Sequence, residues 1–182
     1  GNLATVTTAS IGGNLEQNGG TVVAQGDTLT VTGTTTQNGG TIGDANDAIT
    51  LTGKLTQNGG TVAADTLAAN NGADISGTVT AATSLTAAGK DVEVKSGGTL
   101  TAPTITAANL KTAGAVTSTV KINGNVEQTA GTLNAKDVEG TTFKQTGGAA
   151  TLTGTLTAAV DQDAGTLSAN AVVGDVDQDG GT

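Results

Sequence analysis

Apolar and polar residues alternate in short bursts along the whole chain. In Thr28-Leu29-Thr30-Val31-Thr32 every second side chain is aliphatic, and the same period returns in Thr151-Leu152-Thr153-Gly154-Thr155. A period of two puts alternate side chains on opposite faces of a strand, and β-branched residues favour that conformation. The bursts are brief and end at Gly or Asn. Ile49-Thr50-Leu51-Thr52-Gly53-Lys54-Leu55-Thr56-Gln57 reads as a strand, a glycine and a second strand, as does Ala171-Val172-Val173-Gly174-Asp175-Val176-Asp177-Gln178. A third apolar piece follows each such pair, for example Thr21-Val22-Val23-Ala24 or Thr166-Leu167-Ser168-Ala169.

The pattern repeats. Gln17-Asn18-Gly19-Gly20-Thr21 recurs unchanged from Gln37 and from Gln57, and looser copies begin at Asp74, Lys95, Lys111, Gln128, Gln145, Gln162 and Gln178. The steps are 20, 20, 17, 21, 16, 17, 17, 17 and 16 residues. Such a unit is too short for two helices or a four-stranded blade. Three short strands per unit predict an all-β, single-stranded parallel β-helix (a β-solenoid) of about ten rungs of 16–21 residues, spanning 1–182 as one domain. At a strand spacing of about 4.7–4.9 Å it forms a rod about 50 Å long. Corner glycines are expected at Gly20, Gly40, Gly60, Gly98, Gly131, Gly148, Gly165 and Gly181, where a sharp bend calls for positive φ. Gln17, Gln37, Gln57, Gln128, Gln145, Gln162 and Gln178, with Asn18, Asn38 and Asn58, are candidates for amide ladders along the axis. Turn preference alone is the alternative explanation of the same residues. Residues 68–73, with Asn70-Asn71-Gly72, are the best candidate for a loop bulging from a rung.

Composition sharpens the picture. Thr, Gly and Ala make 95 of 182 residues, which suits a narrow interior lined by small Thr, Ala and Val side chains. Cys, Met, Trp, Tyr, His and Arg are absent and Phe143 is the only aromatic residue. No disulfide, thiolate or imidazole chemistry is open to such a chain. With a net charge of -9, no Arg and lysines scattered rather than clustered, nucleic acid is not an expected partner. No run of about 18 apolar residues exists, so no membrane insertion is expected.

The repeats Gly13-Asn14-Leu15-Glu16-Gln17-Asn18-Gly19-Gly20-Thr21 and Gly124-Asn125-Val126-Glu127-Gln128-Thr129-Ala130-Gly131-Thr132 resemble the passenger repeats of filamentous haemagglutinin-like and autotransporter adhesins. The resemblance covers nearly the whole chain. It implies a right-handed parallel β-helix, exported by a Gram-negative-type bacterium and displayed as an extracellular fibre at the cell surface.

Few residues suggest chemistry. On a 16-residue step Asp161 stacks on Asp177 and Asp163 on Asp179, where Ca²⁺ is the one cofactor worth considering. A solvated acidic face is the favoured reading of the same residues. Gly39-Gly40-Thr41-Ile42-Gly43-Asp44 lacks the spacing of a calcium nonapeptide and reads as a turn. Asp91 with Glu93, or Asp137 with Glu139, would be the carboxylate pairs of a glycosidase, but no Arg, Tyr or Trp is present to grip a sugar. No enzyme activity is expected. Thr-x-Thr runs resemble the ice-binding faces of antifreeze β-solenoids, yet such an array must recur on the same face in every rung, and residues 111–127 and 162–177 break it.

The chain opens at Gly1-Asn2-Leu3 without Met or a signal peptide and closes in mid-motif at Gly180-Gly181-Thr182, with no evident cap. The expected partners are flanking repeats of the same chain, or further copies stacked head to tail. The sequence therefore predicts a non-catalytic structural fibre or adhesin stalk. The alternative is a binding module that recognises cell or environmental surfaces through a flat face or through residues 68–89.

Overall fold

The computed structural model describes residues 5–24 and 27–182; the expectation placed on Gly1-Asn2-Leu3 lies outside the described residues. Among the described residues there is no helix, and the strands join in one sheet wound into about ten coils. The first three coils each hold three separate strands: β1 (Thr5–Thr7), β2 (Ser10–Ile11) and β3 (Leu15–Gln17); β4 (Thr21–Val23), β5 (Thr28–Val31) and β6 (Thr35–Gln37); β7 (Thr41–Ile42), β8 (Ala48–Leu51) and β9 (Leu55–Gln57). Fusion begins in the fourth, with β10 (Thr61–Ala69) and β11 (Ala73–Ile75), and the fifth, with β12 (Thr78–Ala87) and β13 (Val92–Val94). The sixth holds β14 (Thr99–Thr101) and β15 (Thr104–Thr112). One 14-residue strand then makes each of the next three coils: β16 (Ala115–Gln128), β17 (Thr132–Gln145) and β18 (Ala149–Gln162). The tenth coil is β19 (Thr166–Val173) with β20 (Val176–Gln178).

The coil has three faces. Face A follows the Gly-Gly corner, face B comes next, and face C ends at the glutamine position. Each face stacks in parallel on the coil before it, as in Leu15↔Thr35, Thr35↔Leu55 and Leu55↔Ala73. The sequence register is displaced by one residue in three coils. Gln57 stacks on Ile75, Ile75 on Val94, Val94 on Thr112 and Thr112 on Gln128. Asp74, Lys95 and Lys111 therefore do not occupy the glutamine position. A slip of one residue would have turned Ile75 and Val94 outward and charges inward, which burial of the apolar face forbids. The corner absorbs the difference in length. It is Gln57-Asn58-Gly59-Gly60-Thr61 in one coil, the shorter Ile75-Ser76-Gly77-Thr78 in the next, and the longer Val94-Lys95-Ser96-Gly97-Gly98-Thr99 after that.

Inward positions hold apolar columns. Val126, Phe143 and Val160 stack on face C, and Ile122, Val138 and Leu156 on face B, all 3% exposed or less. Burial of each larger aliphatic side chain contributes at most about 1.5–3 kcal/mol. The interior is not lined by Thr: among the described residues only Thr35 and Thr112 are buried threonines. Threonine instead takes the outward positions, since its hydroxyl would need a partner inside. Residues 68–73 do not bulge. β10 runs on to Ala69, Asn70 N donates to Leu51 O at 2.9 Å, and Gly72 N closes a tight turn on Ala69 O. Ala69 and Ala73 are fully buried.

Candidate functional surface

The corner after face C is built around the glutamine side chain. Gln37 Nε2 donates to Gln17 Oε1 at 3.2 Å, and Gln57 Nε2 to Gln37 Oε1 at 3.0 Å. The same amide also donates across its own corner to a glycine carbonyl, Gln37 to Gly40 O at 3.1 Å, and to the facing coil, Gln37 to Thr61 O at 2.9 Å. A second run repeats this. Gln145 Nε2 donates to Gln128 Oε1 and Gln162 Nε2 to Gln145 Oε1, both at 3.1 Å. From Gln17 to Gln162 these amides are 4% exposed or less, whereas Gln178, stacked on Gln162, is exposed. Between the runs stand Ile75, Val94 and Thr112. Gln57 Oε1 accordingly has no hydrogen-bond partner among the described residues, because Ile75 offers no donor.

Asn18, Asn38 and Asn58 form an outer file beside the first run. Asn38 Nδ2 donates to Asn18 Oδ1, and Asn58 Nδ2 to Asn38 Oδ1, both at 2.8 Å in solvent. Most of the expected corner glycines have positive φ: Gly20, Gly40, Gly60, Gly131, Gly148, Gly165 and Gly181. Gly98 does not. In that longer corner Gly97 takes φ 83°, while Gly98 is held by close approach, since a Cβ there would meet Ile75 O. Sequence reasoning also missed a second polar file. Asn109 Nδ2 donates to Asp91 Oδ1, Asn125 Nδ2 to Asn109 Oδ1, and Asn125 Oδ1 accepts from Thr141 N, at 2.7, 3.2 and 2.9 Å. Its spacings of 18 and 16 residues were hidden by the changing coil length.

Charge gathers on face C and the corners beside it. Asp161 stacks on Asp177, as the 16-residue step implies, and Asp163 and Asp179 follow at the next corner. Lys144, one coil below, approaches both Asp161 Oδ2 at 2.6 Å and Asp163 Oδ2 at 3.1 Å. A lysine ammonium thus bridges two of the four stacked aspartates. These two hydrogen-bonded carboxylates raise its pKa, as Glu139 raises that of Lys121. Among the described residues no three acidic side chains converge as a metal-holding group. Asp91 accepts from Asn109 and lies 3.6 Å from Lys111. Asp137 Oδ1 accepts from Thr155 N, and Glu139 pairs with Lys121 at 2.8 Å. These carboxylates are engaged in holding neighbouring coils together.

Face A is different. Its first outward column stacks Thr5, Thr21, Thr41 and Thr61, then Thr78 and Thr99. Ala115 and Ala149 interrupt it, with Thr132 between them and Thr166 beyond. A second column two residues on holds Thr7 and Val23 in the first two coils and runs on as Ala63, Thr80, Thr101, Thr117, Asn134, Thr151 and Ser168. No charged residue lies in the face A strand segments. Within residues 111–127 and 162–177, Lys111, Glu127 and Asp177 lie on face C, Lys121 on face B, and Asp163 and Asp175 at corners.

Comparison with protein-family models, with curated proteins and with solved structures returns no match.

Proposed function

We propose that this chain is a non-catalytic rod of an extracellular bacterial fibre or adhesin stalk, continued coil on coil by flanking repeats or by a second copy. The observation that carries the reading is the parallel coil-on-coil register, in which each face stacks on the one before and the inward apolar positions stay in line through the long-stranded coils. Such a coil presents repeated backbone and side-chain files along one axis and builds a rod. The cell-surface placement rests on the adhesin-like repeats at residues 13–21 and 124–132. Residues 68–89 lie in β10, β11 and β12 and in the short turns between them, in register with the neighbouring coils.

Electron microscopy and sedimentation velocity of the purified chain test this reading. Rods about 45–50 Å long, at about 4.7–4.9 Å per coil, or filaments of such rods, are the expected result. A compact particle with the frictional ratio of a sphere refutes it.

A further inference from the structure

We propose that Asn38-Gly39 is a self-modification site, at which the asparagine side chain closes on the next backbone nitrogen and turns over to aspartate or isoaspartate. This goes beyond the role as a rod and stands on different observations. The chain contains five Asn-Gly pairs, at Asn18, Asn38, Asn58, Asn71 and Asn123. A glycine after asparagine carries no side chain to hinder the approach of its nitrogen to Cγ. The Gly39 nitrogen gives its proton to solvent base and bonds to Asn38 Cγ. The Cγ–Nδ2 bond breaks, and Nδ2 leaves as ammonia with a proton from water. Water then adds to either carbonyl of the succinimide and opens the ring. Attack at Cγ restores the ordinary backbone as aspartate. Attack at the main-chain carbon leaves the backbone running through the side chain, as isoaspartate.

The fold sorts these pairs. Thr36-Gln37-Asn38-Gly39-Gly40-Thr41 and Thr56-Gln57-Asn58-Gly59-Gly60-Thr61 are the same hexapeptide, and both asparagines are exposed. Each Nδ2 donates back along the file at 2.8 Å, so the leaving group is held alike in both. The other contacts differ. Asn38 Oδ1 accepts from Asn58 Nδ2, a donor placed on the oxygen that turns negative as the ring closes. Asn58 Oδ1 accepts from no described residue, because the next corner, Ile75-Ser76-Gly77-Thr78, has no asparagine. The Gly39 N–H, in a partly exposed residue, donates to no described residue, whereas Gly59 N donates to Gln37 O at 3.3 Å. Gly72 N is held by Ala69 O at 2.9 Å, and Asn71 Nδ2 by Thr52 O at 3.0 Å. Asn123 and Gly124 lie inside β16, with Ala107 O against Gly124. Asn18 Oδ1 accepts from Asn38 Nδ2 in the same way, so Asn18 serves as the reference for Asn38. Isoaspartate at position 38 adds one main-chain carbon to the corner that Gln37 Nε2 spans to Gly40 O at 3.1 Å, and either acid removes the donor to Asn18 Oδ1. Conversion thus loosens the early coils with age.

The test incubates the purified chain in mildly alkaline buffer, folded and in urea, and follows the amide-to-acid mass change at each asparagine by peptide mapping. Faster conversion at Asn38 than at Asn58, Asn71 and Asn123 in the folded chain, with Asn38 and Asn58 alike in urea, is the expected result. Asn58→Ala, shown to be folded by circular dichroism, is expected to slow Asn38 by about 2- to 10-fold relative to Asn18, the worth of one hydrogen bond. Equal rates at Asn38 and Asn58 in the folded chain overturn the proposal, as does a difference that persists in urea. An Asn38 that converts in urea but not when folded overturns it as well. So does an unchanged or faster Asn38 in Asn58→Ala, the faster case meaning that the file protects its amides.

Discussion

Coils one to three and coils seven to nine solve the same problem in two ways. Both carry inward apolar columns and close on an inward glutamine. The second and third coils reach their neighbours in 20-residue steps and break into short strands, as in β7, β8 and β9. Between β7 and β8 the chain makes a turn around Asp47, a fully buried carboxylate that accepts from Ala24 N at 2.9 Å and Asp44 N at 3.2 Å. Coils seven to nine need only 17 residues per step and run as single strands that bend through register shifts. The extra residues of the early coils therefore add turns with their own hydrogen bonds, outside the paired inward positions. Backbone hydrogen bonds and a glutamine run join the coils in both regions, and the earlier coils add the outer Asn18–Asn38–Asn58 file.

Breaking the later core should have the largest effect. Phe143→Ala empties the widest part of a column between Val126 and Val160 and is expected to cost about 3–5 kcal/mol, read as a lower chemical-denaturation midpoint. The two glutamine runs come next. Gln145→Leu strands Gln128 Oε1, takes the Nε2 donor from Gly148 O (which keeps Thr166 N) and from Thr166 O, and removes one acceptor of Gln162. Gln57→Leu has the same effect on the partners of its Nε2 but also removes an oxygen that is already unpartnered. With about 1–3 kcal/mol for each buried group left unsatisfied, Gln145→Leu should destabilise by more; equal losses would contradict the ladder geometry. Thr35→Val should do the opposite. Thr35 Oγ1 is buried without a partner between Leu15 and Leu55, so its replacement is expected to stabilise by about 1 kcal/mol.

The smallest effect separates the charged later coils from the early ones. The raised pKa values of Lys121 and Lys144 favour the folded state below the ordinary lysine value, and that contribution fades as the pH rises through the raised values. Melting temperature should therefore drop over that alkaline range in the unaltered chain. The drop should shrink in Lys121→Met/Lys144→Met; an identical drop in both would remove these pairs from the account.

The strands, the coil and both glutamine runs were legible in the sequence because period-two alternation and the Gln-x-Gly-Gly corner are local signals. The middle coils were not. Counting back from Gly-Thr assumes a corner of fixed length, and Ile75, Val94 and Thr112 lie one residue away from the positions that rule selects. The same habit hid face A. Lys111 and Glu127 are close to Thr117 in sequence but lie on another side of the coil, and only the three-dimensional register separates them. Gly97 and Gly98 show the limit most simply, since nothing in a Gly-Gly pair states which residue takes the left-handed conformation.

The glutamine runs also give the rod a direction. In each ladder bond the later coil donates through Nε2 and the earlier coil accepts through Oε1. The amide dipoles therefore point one way along the axis, like arrows in a single file. A coil added upside down would set oxygen against oxygen, so an assembly that continues this file keeps one polarity, with a donating face at one tip and an accepting face at the other.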